Sequence, residues 1–138
     1  MIDNPITVAK HNQIGRIGED LATKWLLDKN FFIVERNYNK KWGEIDIVAR
    51  ETNRIHFVEV KSVSYETKSL LEYTVTHETW NPADNVHRHK QDRLKRAIQT
   101  WILENRYDGE FQIDIITVRI VMNAKRARIS VLANVIFE

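Results

Sequence analysis

Two acids and a lysine stand where they could do chemistry. Between Gly43 and Lys61 the chain reads Gly-Glu-Ile-Asp-Ile-Val-Ala-Arg, then a polar turn Glu51-Thr52-Asn53-Arg54, then Ile-His-Phe-Val-Glu-Val-Lys. Both arms alternate with period two, the pattern of half-buried strands. A two-residue turn at Thr52-Asn53, or a four-residue loop from Glu51 to Arg54, gives the same register. That register sets Asp46 opposite Glu59 and Glu44 opposite Lys61. Strand side chains alternate, so all four are expected on one face, with Ile45, Ile47, Val58 and Val60 on the other.

Directly opposed residues hold their Cβ atoms roughly 5 Å apart, and like charges there destabilise a sheet. Asp46 and Glu59 therefore call for a cation between them, either Lys61 or a divalent metal. Two carboxylates around a hard cation, with a lysine beside them, suit phosphodiester cleavage. The metal takes oxygen ligands, polarises a phosphoryl oxygen and lowers the pKa of a bound water. The lysine orients that water or offsets charge in the transition state. Without metal, at least one of the two acids is expected to keep its proton above the usual carboxylate range. The plain alternative is a solvated Glu-x-Lys strand face with no function, but it gives no reason to pair two acids.

The flanking elements must position this hairpin. From Asn12 to about Asn30 the spacing predicts a helix, after a loose arm over residues 1–11. Ile14, Ile17, Leu21, Ala22, Trp25 and Leu26 form its buried stripe. Gly18 lies on that stripe, where a missing side chain allows close packing. Glu19 lies at its margin and, on helix physics alone, is a solvated first-turn acid. Phe31 to Tyr38 reads as a strand and Asn39 to Trp42 as a basic turn. Ser62 to Ala83 is long and polar, the kind of loop that is usually functional or mobile. Asp84 or Asn85 is a candidate cap for a second helix reaching about Arg106. Leu94, Ile98, Trp101 and Ile102 form its buried stripe, with Ala97 beside it. Its first half carries Arg88, Lys90, Arg93, Lys95 and Arg96 against only Asp92. Such a run is either a solvated face or a phosphate-binding one. His87 and His89 read as polar surface residues, too few for a zinc site. Asp108-Gly109 ends the helix, Phe111 to Val121 is a strand, Met122 to Arg126 a turn, and Ala127 to Phe137 the last strand. The order α-β-β-β-α-β-β implies one α/β domain over residues 1–138, a mixed sheet flanked by helices.

Composition narrows the class. The 138 residues include 43% hydrophobic and 29% charged side chains, ordinary for a globular protein with one core. There is no cysteine, which excludes disulfides and thiolate metal sites. No apolar run approaches the ~20 residues that span a bilayer, and the N-terminus has no signal-peptide pattern. A cytoplasmic protein with no membrane partner is the expectation. Net charge is +2, but residues 1–83 hold 11 Lys/Arg against 12 Asp/Glu and residues 84–138 hold 10 against 7. That asymmetry is compatible with an acidic centre flanked by phosphate-binding surface.

Taken together, these residues resemble a known family. Gly15-Arg16-x-Gly18-Glu19, Arg36-Asn37-Tyr38, Gly43-Glu44-Ile45-Asp46 and Phe57-Val58-Glu59-Val60-Lys61 look like the YraN-like family. Val86-x-x-x-Lys90-Gln91 and Asp114-Ile115 match its later blocks. That family is grouped with endonucleases of the restriction-endonuclease-like superfamily, which carry the PD-(D/E)xK signature, and it is similar to Holliday-junction resolvases. The resemblance implies a restriction-endonuclease-like fold and a catalytic set of Glu19, Asp46, Glu59 and Lys61. It implies Mg²⁺ or Mn²⁺ held by Asp46 and Glu59, and a substrate-phosphate contact at Lys90; Arg16 and, from the basic run, Arg88 and Arg93 are further candidate DNA contacts. Glu19 thereby moves from solvated acid to site acid. Three features depart from the family pattern: Val63 for an arginine, Gln112-Ile113 for Arg-Phe, and a stretch from Ser64 to Trp80 longer than usual. The expected activity is hydrolysis of phosphodiester bonds in DNA, branched or structured DNA included. Dimerisation is expected by analogy with resolvases. The alternative is a nuclease-like module that binds nucleic acid without cutting it.

Overall fold

The computed structural model describes residues 5–65, 88–121, 123 and 125–137. Helix α1 (Pro5–Asp28) precedes strands β1 (Phe32–Lys40), β2 (Gly43–Glu51) and β3 (Arg54–Tyr65). Helix α2 (Arg88–Glu104) then leads into β4 (Glu110–Val121) and β5 (Arg126–Leu132). The five strands form one mixed sheet in the order β1-β2-β3-β4-β5. Only β3 and β4 run parallel, and α2 lies in the connection between them. This is the expected α-β-β-β-α-β-β arrangement. Among the described residues no helix is long and apolar enough to cross a membrane.

Each helix covers one face of the sheet. Ala22 and Leu26 of α1 pack with Ile47, Ala49, Val58, Ile116, Val118 and Ile120, and Ile14, Ile17, Leu21 and Trp25 join them. Leu94, Ala97, Ile98 and Trp101 of α2 pack with Tyr38, Ile45, Val48, Ile55 and Phe57. Phe57 and Val58 are neighbours in β3 yet lie in different clusters, as alternation requires. Both helical stripes are those the three-four spacing gave. Polar ties reinforce the α2 side: Trp42 Nε1 donates to Thr100 Oγ1 at 2.8 Å and the Tyr38 hydroxyl donates to Glu104 at 3.0 Å.

Element ends differ from the sequence reading. Helix α1 starts at Pro5, within the stretch expected to be a loose arm. Proline suits a first turn, where its missing N–H has no partner to lose. Helix α2 ends at Glu104, before Asp108-Gly109. Arg106 takes a left-handed conformation (φ 49°) there, and Tyr107 N–H donates to Ile102 O at 3.0 Å. Asn30 (φ 68°) closes α1 in the same way, with Phe31 N–H donating to Leu26 O at 2.9 Å. These are Schellman ends, which close with one left-handed residue. Strand β5 stops at Leu132 and does not reach Phe137. The tail turns back, with Val135 N–H on Ile113 O at 2.7 Å and Phe137 against the α2-side core. The cap expected at Asp84 or Asn85, His87, and most of the Ser62–Ala83 loop lie outside the described residues. His89 is exposed.

The β2–β3 register is the expected one. Glu51 pairs with Arg54 across the two-residue turn, and the ladder runs to Ile47 opposite Val58. Strict alternation, however, fails at one point. Ile45 joins the α2-side cluster, although Ile47, two residues on, joins the α1 side. The neighbouring strand breaks at the same level. Arg36 reaches α1 while Tyr38 reaches α2, and Asn37 between them has φ 54°. Asn37 falls at the level of Asp46, between the Arg36–Ile47 and Tyr38–Ile45 pairs of the β1–β2 register. A left-handed residue twists a strand locally, and both strands turn over together here. The expectation of Ile45 and Ile47 on one face is therefore corrected.

Two glycines set the helix distances. A Cβ on Gly43 would stand 1.9 Å from the Arg93 carbonyl oxygen of α2, and one on Gly18 1.8 Å from the Ser62 hydroxyl of β3. The first obstacle is backbone; at Gly18 the Ser62 hydroxyl can rotate away, but its Cβ, 2.8 Å off, cannot. Gly43→Ala and Gly18→Ala should therefore each cost about 2–3 kcal/mol, as overpacking does. Urea unfolding midpoints at unchanged slope measure both. A Gly43→Ala protein as stable as the parent contradicts this account of the α2 contact.

Candidate metal and nucleic-acid site

The β2–β3 ladder opens one step beyond Ile47 and Val58. The next pair would be Asp46 and Glu59. Instead of a backbone bond, Val60 N–H donates to Asp46 Oδ2 at 2.7 Å. Within a strand the N–H and C=O of one residue point to the same side. The Val60 carbonyl consequently also faces β2, past the end of the ladder. The turnover at Asn37 and Asp46 places Asp46 near Glu19 of α1, and burial first, then the Asp46 charge, raises the Glu19 pKa.

The acids are held in different ways. The Glu59 carboxylate lies close enough to Asp46 to raise its pKa. Glu59 is only 4% exposed, and its Oε1 meets Lys90 Nζ at 2.5 Å. Glu19 Oε1 takes Arg36 at 3.3 Å, and the Asn37 side chain also hydrogen-bonds it. Burial first, then the Glu59 charge, pushes the Asp46 carboxyl up to about 7, against the pull of Val60 N–H and Lys90. This agrees with the expectation of a raised acid. Burial alone would lower the Lys90 ammonium, but Glu59, Asp46 and Glu44 outweigh it and raise it.

A cavity of about 590 Å³ joins these groups, lined by Arg16, Glu19, Glu44, Asp46, Glu59 and Lys61 among others, with Lys90. Six of the eight residues singled out from sequence meet there: Glu19, Asp46, Glu59, Lys61, Arg16 and Lys90. Arg88 and Arg93 do not line it. Arg88 is exposed at the start of α2, and Arg93 is half-buried where its carbonyl packs on Gly43. Lys61 is half-buried and has no ion-pair partner among the described residues. The cation on Glu59 is Lys90 from α2, where the sequence offered Lys61 or a metal. Arg36 and Asn37, quoted above only as a motif, turn out to hold Glu19. The signal was Asn37 itself, a residue type that tolerates positive φ. Val63 lies beside Arg119 in the parallel ladder. Arg119 is buried, donates to Ser130 Oγ at 2.9 Å, and leaves its Nε without a partner among the described residues.

The donor set fits a hard divalent cation. Asp46, Glu59 and the Val60 carbonyl offer oxygen only, and the two acids lie too close to ionise together easily. No three His, Asp or Glu side chains among the described residues are grouped tightly enough to hold a metal alone. Mg²⁺ needs no such cage, since it keeps several waters and uses one or two carboxylates.

The model of the uncharacterised protein family UPF0102 matches residues 18–118, which include both acids, Glu19, Lys61 and Lys90. A UPF0102 protein of Campylobacter fetus is 35% identical over 109 residues, covering 79% of this chain and 86% of its own. One from Flavobacterium psychrophilum is 34% identical over 111 residues, 80% of this chain and 84% of its own.

The Asp46 shift has a stability consequence. In the unfolded chain the group ionises from its ordinary value of 3.8, and in the folded chain at about 7. Between these values the folded state binds more protons. Asp46 thus favours folding fully below the lower value, and that contribution is lost as pH rises through the upper one. Asp46→Asn, neutral throughout, should flatten this fall and make the metal-free protein more stable at about pH 8 than the parent. Urea unfolding of both proteins at about pH 4 and about pH 8 measures it. An equal parent–variant difference at both pH values contradicts the shift.

Proposed function

The chain belongs to the UPF0102 family, and we propose that it is a divalent-metal-dependent endonuclease hydrolysing phosphodiester bonds in DNA, branched or structured DNA included. The observation that carries this reading is that the Asp46 and Glu59 carboxylates line one open cavity, close enough for the Glu59 charge to raise the Asp46 pKa. Ordinary packing separates like charges, and a buried pair without a cation is costly. Mg²⁺ or Mn²⁺ bound there would polarise a phosphoryl oxygen and lower the pKa of a water. Asp46, Glu59 and the Val60 carbonyl are the groups that would hold it. Lys61 orients the attacking water or offsets charge gathering on the phosphoryl oxygens. Glu19, fixed by Arg36 and Asn37, orients a water from the α1 side. Arg16 at the cavity takes a backbone phosphate, and Arg88 and Arg93 extend the basic surface along α2. The family resemblance in order and spacing of motifs supports the same reading.

The Lys90–Glu59 contact favours a second reading, in which the acid pair is neutralised internally and the protein binds nucleic acid without cutting it. Cleavage separates the two. Purified protein would be offered linear, single-stranded, flapped and four-way-branched DNA with Mg²⁺ and Mn²⁺ in turn. Asp46→Asn and Lys61→Ala should each lower cleavage by about 10²–10³-fold or more, the scale of losing one electrostatic group at a reacting centre. Metal-free binding should survive in Asp46→Asn. Undiminished cleavage by Asp46→Asn contradicts the assignment. Salt-dependent binding with no cleavage of any substrate establishes the second reading.

A phosphate contact can be read separately. Arg88→Ala should weaken binding to all sequences alike and lower the salt slope by about one unit. An unchanged slope makes that residue an ordinary solvated arginine.

A further inference from the structure

Lys90 approaches the acid pair from the first turn of α2. Its side chain is 45% exposed, whereas the Glu59 side chain it meets is 4% exposed. An outward-facing stem thus ends on a buried carboxylate. Asp46 and Glu44 add to the negative field at the ammonium. Removing the partner of a buried carboxylate leaves an uncompensated charge, so Lys90 is what Glu59 relies on in this state. Lysine is suited to a reversible version of that role. Its stem is flexible, and its point charge demands no fixed geometry. A divalent cation brings twice the charge and engages Asp46 as well as Glu59. The ammonium already occupies Glu59 Oε1, so the two cations compete for the same oxygen. Once released, Lys90 remains in the cavity that holds Lys61 and Arg16, with solvent on one side.

We propose that Lys90 is the resident counter-ion of the acid pair. A divalent cation displaces its ammonium from Glu59, and the freed ammonium then takes a phosphate oxygen of nucleic acid entering the same cavity. Metal loading converts Lys90 from an internal ion pair into a substrate contact. Metal and nucleic acid then bind cooperatively, each favouring the other by the same factor. This rests on the metal-nuclease reading and gives Lys90 a role that reading does not require. Lys90 is a positioning residue before loading and a substrate contact after it.

The test needs no cleavage. The full chain, labelled with ¹⁵N at lysine Nζ, is followed by NMR as Mg²⁺ is added without nucleic acid. A hydrogen-bonded ammonium exchanges slowly with water and gives a signal, and the Lys90 signal is the one missing from Lys90→Met. It should be present without metal and disappear as Mg²⁺ binds. Calorimetry should show Lys90→Met and Lys90→Gln binding Mg²⁺ about tenfold more tightly than the parent, within the usual range of coupling between sites. Binding by the variants alone is the stronger form of the same result. Binding by the parent with the Lys90 signal unchanged makes Lys90 a fixed ion pair, which overturns the inference and leaves the nuclease reading standing. No Mg²⁺ binding by parent or variants overturns both.

Discussion

The structure depends on one unfavourable contact, two carboxylates brought together at the open end of the β2–β3 ladder. Asp46 takes the Val60 N–H that a backbone carbonyl would otherwise take. It also meets Glu59, a residue buried among apolar strands. Neither feature helps the fold by itself. Everything nearby reduces the cost: Lys90 neutralises Glu59, Val60 N–H stabilises Asp46, and Asp46 retains a proton to about pH 7. A scaffold under no functional demand has simpler options at these positions. Strain of this sort gathers at sites that use it.

The scaffold holds the contact rigidly. Strand β3 is central, antiparallel to β2 and parallel to β4, with α1 over one face and α2 over the other. The missing side chains of Gly18 and Gly43 let both helices approach the hairpin closely. Helix α1 then brings Glu19 and Arg16 to the cavity, and α2 brings Lys90. A second buried polar group lies on β3, where His56 Nδ1 meets Asp114 Oδ2 at 2.6 Å. Asp114 also accepts Gln112 at 2.8 Å and Asn134 N–H at 3.0 Å. That cluster ties β3, β4 and the C-terminal tail together, and its oxygens on Asp114 are well used.

Much of this was legible in the sequence, because it follows from periodicity. The helical stripes and the hairpin register needed only spacing, and the register alone set Asp46 against Glu59. The turnover at Asn37 and Asp46 was not legible. Alternation assumes an unbroken strand, and a single left-handed residue is invisible to it. Element ends were missed where one residue closes a helix, as Arg106 does, a position where glycine or asparagine is the usual signal. The sequence extends the last strand too far because Val135 and Phe137 are apolar; they are packed by a returning tail. The charge pattern alone makes Lys90 a phosphate contact on a charged helix face. Its place on Glu59 depends on how α2 crosses the sheet, which one-dimensional spacing does not contain.

The central claim is that the acid pair is built for a divalent cation. Crystals of the metal-free protein soaked in Mn²⁺, with data recorded at the manganese edge, address it most directly. The account predicts an anomalous peak bounded by the Asp46 and Glu59 carboxylates and the Val60 carbonyl, with Lys90 withdrawn from Glu59. Density showing the Lys90–Glu59 pair intact and no manganese between the two acids would contradict it.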